Sequence, residues 1–217
     1  MGVILSMDFA EQIELEDNQN RYVQLVKSIS RENANIDGLL NWLYSSDFFS
    51  APASSKYHNA CEGGLCKHCL TVYDNLLLIN TQKNLNLNVD SMKIVALFHD
   101  ISKTNYYKKD VRNKKVYCET GSRTDAGGKY DWVSEPCYVI RDVTERLCYG
   151  SHEMSSEFMI RCYIPLTMEE SVAILHHMGG MNFDSAKDDI PSIYKCYPLA
   201  VSLYLADMMA VYMDESK

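Results

Sequence analysis

Apolar residues recur at three- and four-residue steps along most of the chain, and one stretch in the middle breaks that rhythm. In 8–30 the apolar positions Phe9, Ile13, Leu15, Tyr22, Leu25, Val26 and Ile29 take a helical period from Tyr22 onward. A second short helix is predicted over 36–44, with Leu39, Leu40 and Leu43 inward. After a loop at 50–55, Leu65, His68, Cys69, Val72, Leu76 and Ile79 fall on one face of a third helix. Asp90 is the expected N-cap of the next, whose apolar run stops at His99-Asp100 with Lys103 three residues on. Ser151 is read as the cap of a helix opening at His152. Thr167-Met168-Glu169-Glu170 is a capping box for a helix reaching His176-His177 and ended by Gly179-Gly180. The last helix starts with Pro198, well placed in a first turn, and runs to Met213.

Between Asn105 and Asp142 the period changes. Tyr107–Val111 and Lys115–Cys118 flank Arg112-Asn113-Lys114 in the manner of a hairpin. A loop over 121–128 follows, then one or two strands in 130–133 and 137–140. The fold expected from these patterns is mainly α, with a small β insertion at about 105–142.

Composition narrows the classes of function. With 217 residues the chain fits one domain and can bury a substantial core. A net charge of −8 argues against an extended nucleic-acid surface. The charge is uneven, however, because basic residues, including Lys108, Lys109, Arg112 and Lys115, crowd the segment after Lys103. That segment is either a solvated hairpin surface or an anion-attracting lid. Eight cysteines without an export signal read as reduced thiols. Cys61, Cys66 and Cys69 with His68 have a zinc-knuckle look, without the second ligand pair that a structural zinc site uses. No stretch is apolar for long enough to span a bilayer, so no membrane partner and a cytoplasmic location are expected. Met1-Gly2 to Ser6 matches the myristoylation pattern, a short one that also needs the right host.

The candidate chemistry lies in the polar residues that interrupt apolar stripes. His99-Asp100 ends a run that reads as buried, and burying such groups uncompensated costs on the order of several kcal/mol. A His capping a helix end and an Asp in a turn is the plainer alternative. Asp207 lies among Leu203, Tyr204, Ala210 and Val211, where an unpaired carboxylate has to neutralise or find a cation. With His152 and His177 (or His176), the candidate ligands are His68, His99, Asp100, His152, His177 and Asp207. Imidazole and carboxylate together suit Fe, Mn, Zn, Co or Ni.

Three motifs in order carry a resemblance: Gly63-Gly64-Leu65-Cys66-Lys67-His68, Ala96-Leu97-Phe98-His99-Asp100-Ile101-Ser102-Lys103, and Leu205-Ala206-Asp207. Over about 50–213 the chain resembles the HD-domain metal-dependent phosphohydrolase superfamily. Gly150-Ser151-His152-Glu153 and His177-Met178-Gly179-Gly180 are similar to the extra histidine motifs of its dinuclear subfamilies, although Ser151 departs from their order. The resemblance implies an HD-type helical bundle over 50–217 with the β insertion, and N-terminal helices in 1–49 packed on it. It implies one or two divalent transition metals per chain. His68, His99, Asp100 and Asp207 would hold the first, and Asp100, bridging, would hold the second with His152 and His177. A metal-bridging hydroxide would attack phosphorus, with Asp100 and Lys103 catalytic. His58, Lys103, Lys108 and Arg112 would contact a small phosphorylated substrate, a nucleotide by analogy. The alternatives are a phosphodiesterase acting on a cyclic nucleotide or short oligonucleotide, a non-catalytic nucleotide-sensing module, and a redox di-iron oxygenase.

Overall fold

All residues from Met92 to Phe98 are buried, and the helix they form is the one around which the others pack. A helix apolar on every side is stable only when it is enclosed. The computed structural model describes residues 9–179 and 190–215. Among them are α1 (Phe9–Lys27), α2 (Ile36–Ser45), α3 (Gly64–Lys83) and this enclosed α4 (Val89–Phe98). A three-stranded sheet follows: β1 (Tyr107–Tyr117), β2 (Arg123–Asp125) and β3 (Gly128–Ile140). The remaining helices are α5 (His152–Arg161), α6 (Met168–Leu175), α7 (Ile190–Cys196) and α8 (Pro198–Met209), and α8 continues into a π turn, Ala210–Asp214. The protein is mainly α with a small β insertion. Among the described residues, no single helix is long and apolar enough to cross a membrane.

Helices α1, α3, α6 and α8 enclose α4, and α3 and α6 also pack on α8. Tyr22 of α1 sits among Phe48, Phe49 and Phe98, and its hydroxyl donates to the Leu97 carbonyl at 2.6 Å. That bond fixes the C-terminal end of α4 immediately before His99-Asp100. Helix α1 begins earlier than its periodicity shows, because its first turns are exposed and carry little apolar pattern.

The expected caps hold at Ser151 and at Thr167, whose hydroxyl and the Glu170 carboxylate form the reciprocal box. Pro198 occupies the first turn of α8. Asp90 is not the cap of α4. Asn88, one residue before the helix and extended, accepts from Ser91 N–H at 2.9 Å. Asp90 lies inside the first turn, where it accepts from Ser30 N–H at 3.2 Å and pairs with Lys93 at 3.0 Å. Helix α6 ends at Leu175, Gly179 is left-handed at φ +63, and Gly180 lies outside the described residues.

The hairpin turn does not fall at Arg112-Asn113-Lys114. Strand β1 runs straight through these residues and pairs antiparallel with β3 from Tyr107↔Ile140 to Tyr117↔Tyr130. The two strand pieces read at 130–133 and 137–140 are one continuous strand, and the reversal lies between Cys118 and Gly127. The strand order is β1-β3-β2. The ribbon has no buried face, so no alternation of apolar and polar residues marks its turn. Arg112 and Lys114 instead face Glu135 on the neighbouring strand, at 3.7 and 3.1 Å. Pro136 is tolerated inside β3 because β2 covers only its first residues, leaving an open edge at 136.

Candidate metal centre

Five helices deliver polar side chains to one point. α3 brings His68, the end of α4 brings His99 and Asp100, the start of α5 brings His152, the end of α6 brings His177, and α8 brings Asp207. Local structure sets each position. The loop before α3 folds back over the helix start, with Ala53 N–H donating to the Asn59 carbonyl. Gly63 is left-handed there, and a Cβ on Gly64 would collide with that same carbonyl oxygen. After α4, a 3-10 turn over Ile101–Lys103 returns Lys103 to Asp100, with Nζ 2.6 Å from Oδ2. The Ser102 hydroxyl donates to the His152 carbonyl at 2.9 Å, and the Ser156 hydroxyl donates to Ser102 at 2.9 Å. These bonds tie the start of α5 to the His99-Asp100 turn.

Asp100 stands in the middle. Its Oδ2 lies 3.6 Å from His68 Nε2 and 3.5 Å from His99 Nε2. Its Oδ1 lies 3.7 Å from both His152 Nε2 and His177 Nε2. Asp207 Oδ1 approaches His68 Nε2 at 3.2 Å. The rings are aimed from behind. The Nδ1 atoms of His99 and His177 donate to the carbonyls of Ala96 (2.9 Å) and Ile174 (2.7 Å), so each Nε2 keeps its lone pair toward Asp100. His68 Nδ1 faces both oxygens of Glu215, at 3.1 and 3.2 Å. His177 therefore takes the place in the centre, while the main-chain carbonyl of His176 accepts the Tyr194 hydroxyl at 2.9 Å.

The chemistry of this donor set fits a cation. The Nε2 atoms of His68 and His99 are only 3.3 Å apart, and two neutral rings with both Nδ1 atoms protonated would oppose their lone pairs. A positive charge between them relieves the conflict. Asp100 Oδ1 is buried and has no hydrogen-bond partner among the described residues, a costly state unless a cation compensates it. Ligand atoms of His68, His99 and Asp207, and those of His99, Asp100 and His177, lie close enough to share an ion. A third such group is His58, His68 and Glu215. None of the three contains a cysteine. Cys66 and Cys69 are core residues, and burial pushes the Cys66 thiol up to about 12.

The electrostatics agree with this reading. Burial drives His99 down to about 3 and lowers His152, which keeps both imidazoles neutral and available as ligands. Burial alone would also lower His68, but hydrogen bonds to Asp207 and Glu215 outweigh it and bring it to about 9. A proton and a metal ion then compete for the same Nε2. Burial opposes ionisation of Asp100 and Asp207, yet Lys103 and His99 for the first, and His68 for the second, hold both carboxyls well below the usual range. In the absence of a metal ion the centre therefore combines neutral imidazoles at His99 and His152 and a protonated His68 with ionised carboxylates.

A cavity of about 560 Å³ opens onto it. Asp100, Asp207, Lys103 and His152 form its polar floor, and His58 stands beside them with its ring 5.1 Å from that of His68. Tyr57, Met208 and Tyr212 contribute to the walls. Lys108 and Arg112 do not line this cavity. They lie on the ribbon, with Lys108 at 3.2 Å from Glu145 and Arg112 facing Glu135. Glu215 is the residue that sequence reasoning missed. Its only signal is an acidic residue eight positions after Asp207, beyond the regular helix. No family model, curated protein or solved structure matches the chain.

Proposed function

We propose that this chain is a metal-dependent phosphohydrolase acting on a small phosphorylated molecule, a nucleotide being the favoured class. One observation carries the proposal: a buried carboxylate, Asp100, has two imidazoles on each of its oxygens and lies at the floor of a cavity beside a lysine. Its ligand types and order along the chain resemble those of HD-domain phosphohydrolases. Divalent ions held by such a set supply Lewis acidity toward a phosphoryl oxygen and a more acidic water. His68, His99, Asp100 and Asp207 would hold one ion, and Asp100 with His152 and His177 a second.

The other groups follow from their positions. Lys103 keeps its proton, because the Asp100 charge outweighs the effect of burial. Its ammonium can neutralise a phosphate oxygen next to the centre. His58 is held neutral, near 4, by burial and by the neighbouring His68. Its buried Nε2 has no hydrogen-bond partner among the described residues, so it is available to a substrate oxygen. Tyr57, Met208 and Tyr212 offer faces against which a planar organic group can pack.

The test is phosphate release from a panel of nucleotides by the full chain, supplied in turn with Mn, Fe, Zn, Co or Ni. The expected result is turnover of at least one nucleotide that stops on chelation and returns on adding the metal back. Turnover that persists in excess chelator would contradict the proposal, as would a chain that hydrolyses no phosphate ester with any of the five.

A further inference from the structure

Asp207 is one of two carboxylates that the end of α8 brings to His68. Beyond Met209 the helix widens into the π turn, closed by Glu215 N–H donating to the Ala210 carbonyl five residues back, at 2.9 Å. In an unbroken α-helix, position 215 would lie about 80° around the axis from Asp207, since 3.6 residues make a turn. The wider turn takes up that excess. Asn75 of α3 clips the segment in place: its amide donates to Asp214 Oδ2 at 2.9 Å and to the Ala206 carbonyl at 3.3 Å. The Glu215 carboxylate is thereby buried, its side chain 3 % exposed, with both oxygens against His68 Nδ1.

A carboxylate only accepts hydrogen bonds, so the proton between the two groups belongs to Nδ1. Nε2, on the other side of the ring, faces Asp207, Asp100 and His99. We propose that Glu215 is the positioning residue of the metal centre, holding His68 in the tautomer whose Nε2 is free to ligate and strengthening it as a donor. This inference rests on the metal reading given above. Carboxylates behind ligating histidines fix ring orientation and raise basicity in just this way. His99 and His177 have neutral carbonyls in the equivalent place, so His68 alone among these three has a charged one. A separate ion held by His58, His68 and Glu215 fits less well, because His68 would have to ligate through both nitrogens and give up both protons. Glu215 as acceptor needs only the neutral ring.

The experiment uses the full chain with ¹⁵N-labelled histidine, stripped of metal and titrated with Zn²⁺, which is diamagnetic. Calorimetry reads affinity, and long-range ¹H–¹⁵N spectra read the tautomer of His68, identified by the signals lost in His68→Gln. The Zn²⁺-loaded parent is expected to show His68 protonated at Nδ1. Glu215→Ala is expected to bind Zn²⁺ about 10- to 100-fold more weakly and to lose the fixed tautomer. Glu215→Gln keeps an acceptor oxygen without the charge. It should retain the tautomer and lose less than about 10-fold in affinity, and it decides the matter if the Ala variant does not fold. Affinity equal to the parent's, with His68 signals unchanged, in the Ala variant, or in the Gln variant where Ala fails to fold, would overturn the role. A parent that takes up no Zn²⁺ would overturn the metal centre itself, and that result is read without any variant.

Discussion

Lys103 and Asp100 form the shortest contact in the centre, at 2.6 Å, and both are nearly enclosed. In the absence of a metal ion the ammonium is the strongest counter-charge to Asp100. With cations bound as proposed, that duty would be shared, and Lys103 would be free to turn to a phosphate oxygen. Lys103→Ala is therefore expected to keep the parent's metal content while turnover falls by about 100-fold, the scale of losing one group that stabilises developing charge. Metal analysis and steady-state rates on the same sample check this, and loss of metal in the variant would make Lys103 structural. At this scale much of the site was legible. His68 and Asp207 stand out because each interrupts an apolar stripe, and His99-Asp100 because it ends an apolar run. The direction in which each ring points was not legible, since it depends on carbonyls such as Ala96 O and Ile174 O that any residue carries. Glu215 was hidden for a related reason, because a π turn has no periodicity by which to place it.

Among the elements, α6 shows how a cap and an ion pair share one carboxylate. Glu170 accepts from Thr167 N–H at 2.7 Å in the capping box and also receives Arg31, from the segment between α1 and α2, while itself fully buried. Removing the arginine leaves a buried charge with only its cap, a change that typically costs about 3 kcal/mol or more. Arg31→Ala is expected to lower stability by roughly that amount in urea unfolding, whereas Arg31→Lys should recover part of it. A loss within error of zero would show that the capping hydrogen bonds suffice for Glu170. The box itself was plain from Thr167 and Glu170, three residues apart. The arginine was not, because 139 positions separate it from its partner. The ribbon was the least legible element. Its strands run through a charged tract with both faces largely exposed, so the apparent turn residues Arg112-Asn113-Lys114 are strand residues whose charges pair across to Glu135.

At the scale of the whole molecule, the helices converge on a carboxylate that no single helix could satisfy. α4 is enclosed by its neighbours, and Asp100 and Lys103, just past its C-terminal end, line the cavity above it. Burial of that kind lets His99 remain neutral and makes an unpartnered Asp100 oxygen expensive. The helical character of the chain and the order of the candidate ligands could be read from periodicity. The central place of Asp100, with two imidazoles on either oxygen, could not, because it depends on how five helix ends are packed together. The most direct measurement is the metal content of the purified full chain and of Asp100→Ala, each stripped and then re-equilibrated with excess Mn or Zn. The parent is expected to retain bound metal after removal of the excess, and the variant to retain essentially none, since it lacks the carboxylate proposed to serve both ions. Full metal content in Asp100→Ala, or none in the parent, would contradict the account.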